Sequence, residues 1–135
     1  MSKEDDNKSV VGRWFTDFWG KTCNLEIVDE LAAPDMLLQY SLHEPRRGRE
    51  DIKAFMTGFR EAFPDLNFWG AADLIAEGDY VVLQTHGQGR KTKLGNEYNN
   101  TYCIVYKIAD GKVQEVTEYC DTELITSAFG KRQVA

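Results

Sequence analysis

The chain is expected to fold as an α+β domain, with helices from its first half packed on a curved, mostly antiparallel sheet formed largely by its second half. Three observations predict this. Apolar residues recur at helical spacing in three stretches up to about residue 63. After Pro64-Asp65 the period changes to strict alternation. Glycine turns at Glu77-Gly78-Asp79 and Asp110-Gly111 then cut the alternating part into hairpin-sized pieces. At 135 residues there is enough chain for one domain with a real core.

The elements follow in order. Ser9 reads as the N-cap of a first helix running to Trp19, with Gly20 as its stop. Val10, Val11, Trp14, Phe15, Phe18 and Trp19 give it a broad aromatic stripe. Asn24 reads as the cap of a second helix that turns Leu25, Val28, Leu31 and Ala32 inward and ends at Pro34. A short strand is predicted over residues 36–40, then a turn through Glu44-Pro45-Arg46-Arg47-Gly48. The third helix places Ile52, Phe55, Met56, Phe59 and Phe63 on one side. Strands are predicted at about 67–76, 80–91, 98–108 and 112–120, with a longer loop over 92–97. Residues 127–135 close the chain with a helical turn and a polar tail. In domain terms, residues 1–8 read as a disordered leader, 9–129 as one domain and 130–135 as a tail.

Composition removes several classes of function. A net charge of −6, with no basic run beyond Arg46-Arg47-Gly48-Arg49, speaks against nucleic acid. No apolar stretch approaches the roughly 20 residues of a membrane span. Three cysteines, Cys23, Cys103 and Cys120, make an odd count without metal-ligand spacing, and read as reduced thiols in the cytoplasm. The two histidines, His43 and His86, are far apart and have no His or Cys near them, so no metal site is expected.

Glu118 is the leading candidate for chemistry. It lies in the apolar strand Lys112-Val-Gln-Glu-Val-Thr-Glu-Tyr-Cys120, where alternation gives Val116, Glu118 and Cys120 one face. Turned inward, it is a carboxylate in an apolar cavity, fit for general acid or base work near neutral pH. Turned outward, it is ordinary solvated surface. His43, just before the third helix, could pass a proton or orient a substrate, or lie in solvent. Asn100, Tyr102, Ile104 and Tyr106 share a strand face, from which Tyr102 and Asn100 could reach a substrate oxygen. Asn100 could equally tie down a loop. Asp121 stands at the expected mouth, or caps the closing helix. Tyr40 could donate a phenol hydroxyl, or fill the core.

Several short pieces carry a resemblance: Pro45-Arg46-Arg47-Gly48-Arg49-Glu50, Ala62-Phe63-Pro64-Asp65-Leu66, Ile75-Ala76-Glu77-Gly78-Asp79, Asp110-Gly111-Lys112-Val113 and Glu118-Tyr119-Cys120-Asp121. In their order and spacing, over about residues 10–128, the chain resembles the nuclear transport factor 2-like superfamily, and within it the SnoaL-like and ketosteroid-isomerase-like members. The resemblance implies a cone-shaped domain with a deep pocket, commonly a homodimer through the outer sheet face. The ketosteroid isomerase roles do not carry over. Its base falls at Gln39 or Tyr40, its first-helix tyrosine near Phe15, and its protonated aspartate at Ile104 or Cys103. Phenazine-biosynthesis isomerase-like proteins are similar at Phe63-Pro64-Asp65, Tyr98-Asn99-Asn100, Asp110-Gly111-Lys112 and Thr117-Glu118-Tyr119. That similarity implies an acid/base role and a pocket position for Glu118, while a histidine of that branch falls at Phe55.

The expected function is therefore proton transfer on an apolar cyclic or carbonyl metabolite, of isomerase, dehydratase or cyclase type, without cofactor or metal. Glu118, His43 and Tyr102 would be catalytic. Trp14, Phe15, Phe18, Tyr40, Phe55, Phe59, Asn100, Ile104, Cys120 and Asp121 would line the substrate. The alternative is a non-catalytic binding or dimerisation domain of the same fold.

Overall fold

The computed structural model describes residues 2–19, 24–41, 43–62, 67–69, 74–89 and 98–129. Its elements are α1 (Lys3–Trp19), α2 (Glu26–Leu31), β1 (Ala32–Gln39), β2 (Arg46–Arg47), α3 (Arg49–Ala62), β3 (Asn67–Trp69), β4 (Ile75–Glu77), β5 (Tyr80–Gly89), β6 (Tyr98–Ala109), β7 (Lys112–Cys120) and α4 (Thr122–Phe129). The sheet runs β2-β1-β7-β6-β5-β3, with β4 also on β5. Every pairing is antiparallel except β1 with β7. This is the α+β architecture expected. The sheet is curved and open, and α1, α2 and α3 share one core with its inner face. Among the described residues no helix is long and apolar enough to cross a membrane.

α1 starts six residues before Ser9. Ser2 Oγ accepts a hydrogen bond from the Asp5 N–H at 3.1 Å, and Glu4, Asp5 and Asp6 fill the first turn, where negative charge suits the helix dipole. Residues 3–8, read from sequence as a leader, are therefore helical. Asn7 is buried and donates to Gly78 O at 3.4 Å, and Lys3 pairs with Asp79. Ser9 is no cap; its hydroxyl donates back to Asp5 O. Asn7, Val11, Trp14 and Phe18 form the buried stripe.

Asn24 does serve α2, accepting from the Glu26 N–H at 3.1 Å. That helix ends at Leu31, and β1 begins four residues earlier than predicted, with Pro34 exposed inside it. α3 buries Ile52, Phe55 and Met56 as its period requires. The stretch predicted as one strand over 67–76 carries two, β3 and β4. α4 begins at Thr122, five residues before the predicted closing turn. Gly20, Cys23, Phe63, Pro64-Asp65, the 92–97 loop and the 130–135 tail lie outside the described residues.

The two central hairpins set the site. Asp110 and Gly111 both take positive φ, 54° and 72°, the conformation a two-residue turn needs for its twist to match the strands. Just beyond it β7 carries a bulge. Lys107 pairs with Glu115 and Ile108 with Val113, leaving Gln114 unpaired. The Gln114 amide fastens the bulge by donating to Ala109 O at 3.2 Å and Lys112 O at 3.4 Å. The extra residue lets Val113 and Val116, three apart, both face the core. Without it, a strand begun inward at Val113 would point Glu118 outward.

Candidate functional site

The pairings arrange the inner face in rows. One row is Leu38, Val116, Tyr106 and Val81, all at most 1% exposed. The next pairs Glu118 with Ile104 and Ile104 with Leu83, and Tyr40 follows Leu38 on the same side. A third row joins Cys120, Tyr102 and Thr85, and Asn100 lies beyond it. Glu118 therefore faces the core layer, in a neighbourhood of Ile104, Tyr106, Val116 and Cys120.

Glu118 is half-buried. It remains reachable, yet its carboxyl is deep enough in apolar surroundings for burial to push its pKa up to about 7. One polar contact opposes this rise: the Cys120 thiol donates to Glu118 Oε1 at 3.4 Å. Burial, with Glu118 close by, pushes the Cys120 thiol up to about 12, so it stays protonated and donates. Ser41 Oγ donates to the Glu118 backbone oxygen at 3.1 Å, pinning β7 against the residues that follow β1. A carboxyl that changes charge near pH 7 can both take and return a proton.

An aromatic cluster borders this row, with Phe55 at its hub. Tyr40, His43 and Phe59 place their rings 5.4, 5.5 and 5.9 Å from it. The Arg46 guanidinium lies over the same ring at 5.5 Å. Burial first, then the Arg46 charge, lowers the His43 pKa, so its imidazole is neutral at physiological pH.

The predicted residues divide into three groups. Glu118, Ile104, Cys120, Tyr102 and Tyr40 come together on the inner face, and His43, Phe55 and Phe59 gather beside them. Trp14 and Phe18 are packed in the core, stacked on each other at 4.8 Å and fully buried, while Phe15 is partly buried against it. Asn100 and Asp121 have structural work. Asn100 donates to Asp121 O at 3.0 Å and accepts from the Thr101 N–H at 2.9 Å, tying the end of β7 to β6. Asp121 Oδ1 accepts from the N–H groups of Glu123 and Leu124 at 2.9 and 3.2 Å, an N-cap for α4. Asp121→Ala is expected to cost about 1 kcal/mol of stability, read as a lower urea midpoint at unchanged slope.

Two residues passed over as candidates belong to the neighbourhood. Tyr106 is fully buried one row below Glu118, and its hydroxyl has no hydrogen-bond partner among the described residues. Burial raises its pKa first, and the nearby Glu118 charge second. Arg46 stands in the sequence within a turn, a short basic run and a segment that carries the resemblance, with no site role, although alternation sets Arg46 and Arg47 on opposite faces. Elsewhere, a cleft of about 400 Å³ lies between the start of α1 and the Asp110-Gly111 turn, lined by Lys3, Asp6, Asp79 and Ile108, away from the Glu118 row. No group of three or more His, Cys, Asp or Glu that could hold a metal ion occurs among the described residues.

The sequence model described as SnoaL-like polyketide cyclase matches residues 9–125. Among solved structures, a protein described as a SnoaL-like polyketide cyclase from Jannaschia sp. CCS1 superimposes with a TM-score of 0.83 at 23% identity, covering 98% of each chain. IdmH from Streptomyces antibioticus, described as a polyketide cyclase, gives a TM-score of 0.73 at 19% identity over 93% of this chain and 99% of its own. A nuclear transport factor 2-like protein of unknown function from Burkholderia pseudomallei K96243 gives 0.81 at 16% identity over 97% and 100%. No curated protein matches the chain.

Proposed function

Because the chain belongs to the SnoaL-like polyketide cyclase family, we propose that it closes a ring on a flat, carbonyl-rich substrate by proton transfer at carbon, with Glu118 as the acid/base. The observation that carries this reading is a half-buried carboxyl, brought to about 7 by its surroundings and bordered by aromatic side chains. Ionised Glu118 removes a proton from a carbon between two carbonyl groups. The C–H electron pair moves onto one carbonyl oxygen as an enolate. The enolate carbon then attacks a second carbonyl of the same molecule, forming the ring C–C bond, and the new alkoxide takes up a proton. Glu118, now protonated, can return one. No cofactor enters this sequence of steps.

The Cys120 thiol orients the carboxyl, and the neutral His43 with the Tyr40 and Tyr102 phenols would hold a developing oxygen charge. Phe55 and Phe59 supply surface for a planar ring.

The first step can be tested without the natural substrate. In D2O the protein is expected to accelerate deuterium incorporation between the carbonyls of an aromatic 1,3-diketone, followed by proton NMR. Exchange no faster than in buffer with an equal amount of denatured protein would rule out carbon acid/base chemistry at this site.

A further inference from the structure

We propose that the rim of this site holds an anion, the carboxylate of a planar aromatic or polyketide-like acid, on the guanidinium of Arg46 beside His43. The inference deepens the reading above and rests on the Glu118 face being a ligand site.

Three arginines fall within four residues, and the structure uses them differently. Arg47 points to the outer side, and its Nη1 donates to Asp35 O at 3.0 Å. Arg49 donates from Nε and Nη2 to Ala32 O at 3.1 and 2.7 Å. Both fasten β1. Arg46 pairs with Leu38, a buried residue of the inner face, so its side chain leaves β2 toward the side that carries Glu118. There it spreads over Phe55. Its ion pair is with Asp51, Nη1 to Oδ1 at 3.7 Å, longer than a hydrogen bond, and Asp51 Oδ2 already accepts from the Arg47 N–H.

Arg46 Nε is shut off from solvent without a hydrogen-bond partner among the described residues, and so is Nδ1 of His43 against the same Phe55 ring. Two uncompensated buried nitrogens in one aromatic cluster are costly for the protein alone. The Arg46 side chain is nevertheless 26% exposed, so part of the guanidinium is open to a ligand. A guanidinium edge takes a carboxylate through two parallel N–H bonds, and a charge stacked over a ring is weakly hydrated, which favours this kind of binding. Phe55 and Phe59 beside it would meet the flat part of the same molecule. Tyr40, whose ring contacts Phe55 and whose neighbour Ser41 is bonded to Glu118, links this rim to the acid/base row.

The test is calorimetric titration with naphthalene-2-carboxylate and with its methyl ester, which share the ring and differ in charge. The folded protein is expected to bind the acid about 10- to 100-fold more tightly than the ester, as a charge-assisted hydrogen-bond pair allows. Arg46→Met should erase that preference while ester affinity holds. Arg46→Lys, which keeps the charge and loses the fork, should reduce it several-fold and serves if the Met variant does not fold. Equal affinity for acid and ester, no binding of either at millimolar concentration, or a preference that survives either substitution would overturn the proposal. Glu118→Gln separates the two readings: it should lose exchange and keep the acid preference, whereas unchanged exchange in that variant would count against the chemistry alone, and equal affinity of the wild type for acid and ester would count against the anion site alone.

Discussion

Glu118→Gln is expected to lower proton exchange and ring closure by about a hundred- to ten-thousand-fold, the usual contribution of a positioned acid/base group. Gln fills nearly the same volume and can still accept from the Cys120 thiol, so the fold should be preserved. The wild-type rate should follow the ionised carboxyl. It should be low at pH 5, rise through the region of about 7, and level off above it, because burial holds the Glu118 proton to that point. Initial rates against pH for both proteins would check this. A Gln variant with wild-type turnover would remove Glu118 from the mechanism. A wild-type profile rising near 4.5, the ordinary value for the side chain, would mean that the carboxyl is not desolvated when substrate binds.

The same substitution is expected to stabilise the protein at high pH. In the folded state the Glu118 pKa is raised from 4.5 to about 7. A raised carboxyl favours folding where it is protonated in both states, and this advantage is lost as pH rises from the unfolded value through the folded one. Above about pH 7 the folded protein therefore carries a cost of about 3 kcal/mol for ionising Glu118, and Gln does not have it. The stability difference between Glu118→Gln and wild type should shift in favour of the variant by about that amount between pH 4 and pH 8. Urea midpoints at the two pH values measure it. His43, whose lowered pKa acts in the opposite direction, is present in both proteins and cancels in the comparison. A difference that stays constant across this range would mean that Glu118 ionises freely in the folded state. Lower activity with higher stability, both from one carboxyl, is the pattern of a group retained for function.

Much of the fold was legible because it rests on local rules. The spacing of Ile52, Phe55 and Met56 commits α3 to one face, and Asp110-Gly111 commits β6 and β7 to a tight turn. Asn24 and Asp121 were readable as caps, since short oxygen-bearing side chains there complete a helix start. The start of α1 was missed because Ser2 and the acidic turn after it look like a polar leader. What holds them in a helix includes contacts with Gly78 and Asp79, over seventy residues away.

The sequence by itself determined the α+β class, the helix faces, the tight hairpin turn and the presence of one carboxylate in an apolar strand. Only the tertiary structure decided which way that carboxylate looks. One unpaired residue, Gln114, inverts the alternation of β7, and nothing in its immediate neighbours separates a bulge from a continuous strand. Tertiary structure also divided three arginines within four residues into two that brace β1 and one that turns to the inner face, through the pairing of Arg46 with Leu38. Periodicity is written in neighbouring residues, whereas register, desolvation and unfilled hydrogen bonds depend on strands that meet only after the chain has folded.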